Sequence, residues 1–329
     1  MPLVARRALV TGIGGQDGSY LAESLLGHGY EVVGTVLGNP EDYESLAPFK
    51  KQLRFANVDL EDAQNIRRAL RDIEPDEIYH LASASFVPAS WDDPVGTSTA
   101  AVAAVSGLLD GLRRERPDAR FVNAASAEIF GAPAETPQTE QTPVAPLTPY
   151  GAGKAFGHFL TGSFRRQYGL HASSGILFNH ESPRRSTQFL TRKVTRGAAA
   201  ISLGLEDELR LGDLSARRDW GFAGDYVRAL RLMASHDEPD DYVIATGESH
   251  TVEEFVAAAF GEVGLDWREH VRFDESFARG AADSPELVGE PAKVRERLGW
   301  QAKTGFDDLV QMMVRADLAL LKDQAASPR

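Results

Sequence analysis

Three observations predict an α/β fold for this chain, with a largely parallel sheet covered by helices and a smaller C-terminal cap. Near the N terminus a short apolar strand runs into a glycine-rich turn and then a helical pattern. The same alternation of strand and helix continues to about residue 178. Beyond Asn179 it gives way to polar loops between helices. Strands separated by helices with short connections require a parallel, three-layer arrangement. The 329 residues exceed the usual size of one compact domain, so a division into residues 1–178 and 179–329 is expected.

The elements follow in order. Arg7–Thr11 reads as a buried strand, and Gly12, Gly14, Gly15 and Gly18 make the turn after it. Leu21, Leu25 and Leu26 then share one helical face, with Gly29 as the stop. The β-branched run YEVVGTV favours the second strand. Next come a strand around Leu53–Val58, a helix around Ala63–Arg71 and a buried strand over Glu77–Leu81. A helix around Thr97–Arg114 leads to the strand FVNAAS, and a Pro/Thr-rich loop over Ala132–Pro149 precedes the helix that contains Lys154. A strand around Ala172–Phe178 closes the first part. In the second part TVEEFVAAAFGEVG reads as a capped helix. DYVIATG, at 241–247, is expected to return to the first domain as a strand.

Composition narrows the function. Cysteine is absent, which excludes disulfides, thiolate chemistry and Cys-based metal centres and fits a reducing cytoplasm. No metal is expected. The 48 acidic and 35 basic residues give a net charge of −13, which opposes nonspecific binding to nucleic acid or to an anionic membrane. No run approaches the length of a membrane span, and the glycine turn interrupts the N-terminal apolar run too early for a secretion signal. A cytoplasmic enzyme is the expectation.

Gly12, Gly15 and Gly18 have GxxGxxG spacing between a strand and a helix, where glycines let the backbone approach a pyrophosphate. One such glycine is more often a plain turn; the strand–turn–helix setting makes the group a Rossmann-like dinucleotide site. Residues 1–178 thereby read as the NAD(P)-binding domain. Gln16 and Asp17 lie in the glycine turn, Asp59 and Leu60 follow the third strand, Leu81 ends the fourth and Ser83 lies just beyond it; all are candidate cofactor contacts. NADP+ needs cations for its extra phosphate after the second strand, whereas Leu37–Asp42 holds none and contains two acids. NAD+ is the expected preference.

Tyr150 and Lys154 stand at i and i+4, hence on one helical face. A tyrosine beside a lysine cation and a nicotinamide cation is expected to ionise below its ordinary pKa of about 10. Ser126 ends a strand whose tip can aim its hydroxyl into the crevice, and Glu128 adds a carboxylate two residues on. Redox exchange alone has no need of that acid. Removal of a carbon-bound proton requires a base, and a carboxylate supplies one.

The motifs TGIGGQDGSYLAE, SAEIFG, YGAGK, GILFNHESPRRSTQFLTRK, SARRDWGFAGDYVRALRLM and DEPDDYVIATGESHTVEEFV run through nearly the whole chain. On them the sequence strongly resembles the GDP-mannose 4,6-dehydratase family of the extended short-chain dehydrogenase/reductases. The resemblance implies catalytic roles for Ser126, Glu128, Tyr150 and Lys154. It implies cofactor or active-site roles for Asn179, His180 and Arg185, and places Arg192, Lys193 and Arg218 in or beside the nucleotide-diphosphate site. Ser85 in the early substrate loop and Arg279 near the C terminus complete the substrate contacts. The implied activity is internal hydride transfer and water loss, turning GDP-D-mannose into GDP-4-keto-6-deoxy-D-mannose, in a dimer or tetramer. A sugar-nucleotide epimerase and a catalytically silent sugar-nucleotide-binding protein are the alternatives.

Three segments depart from the family pattern. Leu37–Gly38 replaces an arginine pair, which weakens the expectation of NADP+ selectivity and of the tetramer contacts made there. Ser85–Phe86 replaces Ser–His. FARGAADSPELVGE, at 277–290, displaces an arginine to Arg279, so another pyrophosphate-linked hexose stands as the competing substrate.

Overall fold

A computed structural model describes residues 5–275 and 286–326. Chain order begins with β1 (Arg7–Thr11), α1 (Gln16–Gly27), β2 (Glu31–Thr35), β3 (Leu53–Phe55), α2 (Ala63–Ile73) and β4 (Glu77–His80). It continues through α3 (Pro94–Glu115), β5 (Arg120–Ser126), α4 (Pro149–Tyr168) and β6 (Ala172–Leu177). β3 ends at Phe55, three residues before the expected Val58. Beyond it the segment turns, and Asp59 accepts from the Glu61 amide and Asp62 from the Gln64 and Asn65 amides, the latter capping α2.

The strands form a seven-stranded sheet in the order β3–β2–β1–β4–β5–β6 with one further strand outside β6, and every pairing is parallel. Alternate residues supply its two faces. Ala8, Val10, Val32, Tyr79 and Val122 pack on one side with Leu21 and Leu25 of α1. Leu9, Val33, Ile78 and Phe121 pack on the other with Ile66 and Leu70 of α2 and Leu108 and Leu112 of α3. The strands are therefore apolar almost throughout, as a sheet covered on both faces requires. Helix α3 is long and apolar enough to satisfy the composition of a membrane span, yet Val105, Leu108, Leu109 and Leu112 are buried in the core.

After β6 come β7 (Asn179–Glu181), α5 (Leu190–Ser202), β8 (Leu209–Leu211), β9 (Arg217–Arg218), β10 (Trp220–Phe222) and α6 (Ala223–Ser235). β11 (Asp241–Ile244) pairs with β6 and becomes the outermost strand, in register from Asp241 opposite Ser174 to Ile244 opposite Leu177. Arg165 of α4 fixes this return through a two-pronged pair with Asp241 at 2.8 and 3.0 Å. Then follow β12 (His250–Thr251), α7 (Val252–Glu262), α8 (Trp267–His270), β13 (Val271–Phe273), α9 (Ala292–Leu298) and α10 (Phe306–Ala326). Thr251 and Glu254 form the capping box that the sequence of α7 suggests. A second core, built from Val194, Trp220, Phe255, Phe260, Leu309 and Met313, holds α5, β10, α7 and α10 together.

Candidate active site

The order β3–β2–β1–β4–β5–β6 reverses direction between β1 and β4, and ligands of such sheets bind at the carboxyl ends of the strands beside that reversal. Gly12 leaves β1 there with φ +70°. A side chain on it would meet Cα of Ala82, just beyond β4, at 2.8 Å. One on Gly18 would come within 2.6 Å of Cα of Ile13. The glycines thus let the turn lie against the next strand and against its own helix. Thr11 secures the floor: its Oγ1 accepts from the Leu81 and Ala82 amides, each at 3.2 Å, and its hydrogen is left to donate to Nδ1 of buried His80 at 3.0 Å. Burial, with the nearby Lys154 charge, pushes His80 down to about 3, so the ring is neutral and accepts this bond.

β5 and α4 deliver the catalytic candidates. Ser126 ends β5, and its Oγ accepts from the Glu128 amide at 3.3 Å. Thr148 caps α4 by accepting from the Gly151 amide, with Pro149 in the first turn, so Tyr150 and Lys154 stand on the opening turns of that helix. Lys154 Nζ lies 5.7 Å from the Tyr150 ring centroid and donates to the Ala124 carbonyl at 2.8 Å. Burial pushes Tyr150 up to about 12; the Ser126 hydrogen bond and the Arg185 charge oppose this, and the Glu128 charge adds to it. Ser126, Glu128 and Tyr150 are therefore one cluster. Burial also takes Lys154 down to about 8, against the field of Asp17. In the protein without a nicotinamide cation, desolvation thus opposes the phenolate more strongly than the surrounding groups favour it.

The segment after β6 crosses the front of the glycine turn. His180 donates from Nδ1 to the Phe178 carbonyl at 2.6 Å and from Nε2 to Asp17 at 2.8 Å. Both partners can only accept, so the doubly protonated ring satisfies them. Gln16 donates to the His180 carbonyl at 3.0 Å and accepts from Ser182 at 2.8 Å. Asn179, next to this joint, pairs in register with Trp220. Arg185 lies 3.5 Å over the Phe189 ring, and its Nε is 3.1 Å from Glu181 without a hydrogen bond.

The remaining candidates separate. Ser83 and Ser85 are exposed on the loop after β4, and Leu81 is half-buried. Asp59 is exposed and Leu60 half-buried at the sheet's β3 end. Lys193 donates to the Arg210 carbonyl at 2.7 Å, and burial lowers its pKa against the Asp274 charge. Arg218 stands on β9 and donates to the Arg217 carbonyl at 2.6 Å. Arg192 departs from its expected place beside the diphosphate: its guanidinium turns inward to Asp317, at 2.7 Å from Nη2 and 2.8 Å from Nε. The reason is the fully buried Asp317 carboxylate, which requires a charged partner. Arg279 lies outside the described residues.

Sequence reading missed Asp219 and Asp317. The first is buried and accepts from the Thr246, Gly247 and Gly289 backbones and from the Thr246 hydroxyl, fastening the strand end beside Arg218 to the loop after β11. Only its place in SARRDW hinted at this. An open cavity of about 660 Å³ lined by Glu248, His250, Glu254, Phe306, Asp307 and Asp308 shares no residue with the Tyr150 cluster. Its acids suit no phosphate-bearing ligand.

A parallel sheet with this strand order, a glycine turn at its reversal and a Ser–Tyr–Lys cluster at the end of β5 define the extended short-chain dehydrogenase/reductase class. A family model described as GDP-mannose 4,6 dehydratase matches residues 9–313. GDP-mannose 4,6 dehydratase 1 of Arabidopsis thaliana is 45% identical over 96% of this chain and 90% of its own length, and the Homo sapiens GDP-mannose 4,6 dehydratase is 39% identical over 96% and 92%. Among solved structures, DesIV, a dTDP-glucose 4,6-dehydratase from Streptomyces venezuelae with NAD and TYD bound, superposes with a TM-score of 0.83 at 26% identity, covering 94% of this chain and 96% of its own. The UDP-glucose 4-epimerase of Thermus thermophilus, in complex with NAD, gives 0.81 at 27%, covering 94% and 98%. This chain belongs to the GDP-mannose 4,6-dehydratase family.

Proposed function

We infer that this chain is a nicotinamide-dependent hydro-lyase that converts GDP-D-mannose to GDP-4-keto-6-deoxy-D-mannose and water. The observation that carries the reading is the cluster of Ser126, Glu128 and Tyr150 at the end of β5, in a chain whose relatives bear that enzyme's name over nearly their full length. Residues 1–178 hold the cofactor and 179–329 mainly the substrate, with β11 returned to the first part.

The residues present fit a nicotinamide dinucleotide. The turn leaving β1 has a positive φ at Gly12 and backbone too close for a side chain, which suits a pyrophosphate, and the Arg185 cation acts on both Asp17 and Tyr150. Gly12, Gly15, Gly18 and Arg185 would hold the diphosphate, with Asp59, Leu60, Leu81 and Ser83 along the adenosine and ribose. Leu37–Asp42 favours NAD+ over NADP+: Asn39 already accepts from the Glu41 amide, and Lys50 pairs with Glu41.

A nicotinamide held there would supply a hydride acceptor for sugar C4 and, once reduced, a hydride donor for C6. Tyr150 takes the C4 hydroxyl proton while Ser126 orients that oxygen. Lys154, held beside Tyr150 by the Ala124 carbonyl, supplies the cation that makes the phenolate attainable. The C4 ketone acidifies the C5 hydrogen, which Glu128 removes as general base. Glu128 passes that proton to the C6 hydroxyl, which leaves as water, and the proton taken up by Tyr150 balances the one that returns to C5. Lys193 and Arg218 would lie in or beside the nucleotide-diphosphate site, with Ser85 and Asn179 beside the sugar. A 4-epimerase would share Ser126, Tyr150 and Lys154 but leaves Glu128 without a task.

The test is incubation of the purified protein with NAD+ and GDP-mannose, followed by mass spectrometry. A product lighter by one water, retaining GDP, is expected. Recovery of a C4 epimer without water loss would replace this reading with the epimerase; no change in any of a panel of nucleotide-diphosphohexoses would leave a binding protein. The reading also proposes a cytoplasmic enzyme that self-associates.

A further inference from the structure

The segment that carries Arg185 to the Tyr150 cluster is gripped from behind by two residues 125 positions apart. Arg192 of α5 donates Nε to both carboxylate oxygens of Asp317 on α10, at 2.8 and 3.0 Å, and Nη2 lies 2.7 Å from the same carboxylate. Thr195 donates to Asp317 at 2.7 Å. The remaining edge of the guanidinium points the other way: Nη1 donates to the carbonyls of Pro183 and of Arg185, the latter at 3.0 Å. Asp317 has no exposed surface and the Arg192 side chain almost none.

A charge pair sunk this deeply is a poor way to gain stability, since desolvation offsets most of its attraction and apolar residues of similar volume often serve as well. What apolar residues cannot do is hold two main-chain carbonyls at fixed positions. A planar guanidinium with five donors can, once a carboxylate fixes its orientation. We propose that Arg192 and Asp317 are positioning residues whose task is to set the Pro183–Arg185 backbone so that Arg185 meets the cofactor diphosphate. This rests on the reading of Arg185 as a cofactor contact. It replaces a direct role for Arg192 toward the nucleotide sugar with an indirect one toward the dinucleotide, and it gives the C-terminal helix a part in cofactor binding.

The test uses the full chain freed of cofactor, with NAD+ titrated by calorimetry and folding followed by thermal melting. Asp317→Asn and Arg192→Lys are expected to weaken NAD+ binding about tenfold, the scale of a lost charge-assisted contact, at temperatures where both remain folded. The decisive variant is the apolar pair Arg192→Met with Asp317→Leu. It is expected to recover most of the melting temperature lost by Asp317→Asn while NAD+ binding stays weak; recovery of both together would mean that the pair is structural only and would overturn the proposal. In an Arg185→Ala background, Asp317→Asn should add little further loss, because both act through one contact. Full additivity, or NAD+ affinity untouched by Arg185→Ala, would also overturn it. Wild-type protein that binds no nicotinamide dinucleotide at all would instead defeat the reading of the site, and this proposal with it.

Discussion

His180 Nε2 lies 2.8 Å from a carboxylate oxygen of Asp17, joining β7 to the first turn of the helix that follows the glycine turn. Gln16 doubles the joint on both sides of it. Two parts of the chain more than 160 residues apart are thereby locked at the mouth of the crevice.

This joint is expected to depend on pH in a defined direction. Asp17 is lowered to about 2: burial opposes its charge, and the His180 charge and hydrogen bond overcome that opposition. Its contribution is present above the unfolded carboxylate value near 4 and is lost as pH falls through about 2. Burial acts to lower His180, but the Asp17 charge and hydrogen bond, with the bond to the Phe178 carbonyl, raise it on balance. Its contribution is complete below the unfolded value of about 6.5 and is lost as pH rises through the folded one. Asp17→Asn should therefore cost on the order of 2 kcal/mol near pH 5 to 6, and less as pH rises through the folded His180 value. Thermal or urea melts of both proteins across that range check it; a pH-independent difference would mean that the histidine is not charged in the pair.

Glu128→Gln should separate dehydration from oxidation. The amide keeps the volume and removes the base, so C4 oxidation should proceed while C5 proton removal slows by about 100- to 10,000-fold. Reduced-cofactor absorbance in a single turnover, with solvent deuterium incorporation at C5, distinguishes the steps. Normal product formation and exchange in the folded variant would reassign Glu128 to binding.

Tyr150→Phe should stop the reaction earlier, at hydride transfer from C4. Because burial holds Tyr150 at about 12 in the protein alone, its ionisation is expected only once cofactor is bound. The difference in ultraviolet absorbance between wild type and Tyr150→Phe should show no phenolate below about pH 10 without cofactor and a phenolate at lower pH with NAD+. A phenolate near neutrality in cofactor-free protein would contradict the burial argument.

NAD+ should bind at least about tenfold more tightly than NADP+, because Leu37–Asp42 offers the extra phosphate no charge-assisted partner. Leu37, almost fully exposed, can be changed to arginine without disturbing the core. That variant should gain NADP+ affinity and leave NAD+ nearly unchanged. Tighter NADP+ binding by the wild type would point to a cation from elsewhere.

A dimer is expected through α3 and α4, where Val95, Val102 and Phe159 are exposed on neighbouring helices. Light scattering at micromolar concentration should give twice the chain mass of 35.8 kDa, and Phe159→Glu with Val102→Glu should shift it to one. A wild-type monomer would leave this apolar face unexplained.

The sequence by itself determined the sheet and put forward the candidate chemical centre. Strand runs, the glycine turn and the YxxxK helix are local patterns whose meaning depends on residues a few positions apart, so Arg7–Thr11, FVNAAS and the Tyr150–Lys154 pair could be read without a fold. It also made 241–247 legible as a strand, though only the pairing with β6 gave that strand its place. Tertiary structure decided what each charged group faces. Arg192 belongs to a run of basic residues that reads as a phosphate site, but a buried aspartate on α10 claims it; nothing near Arg192 in sequence announces Asp317. Asp17 and His180 read as two separate ligand contacts, yet each is the other's partner. Tyr150 reads as a group that ionises beside two cations, and the fold adds a burial that opposes the phenolate. Periodicity is local and survives in one dimension, whereas desolvation and charge pairing depend on which distant residues the fold brings within a few ångströms.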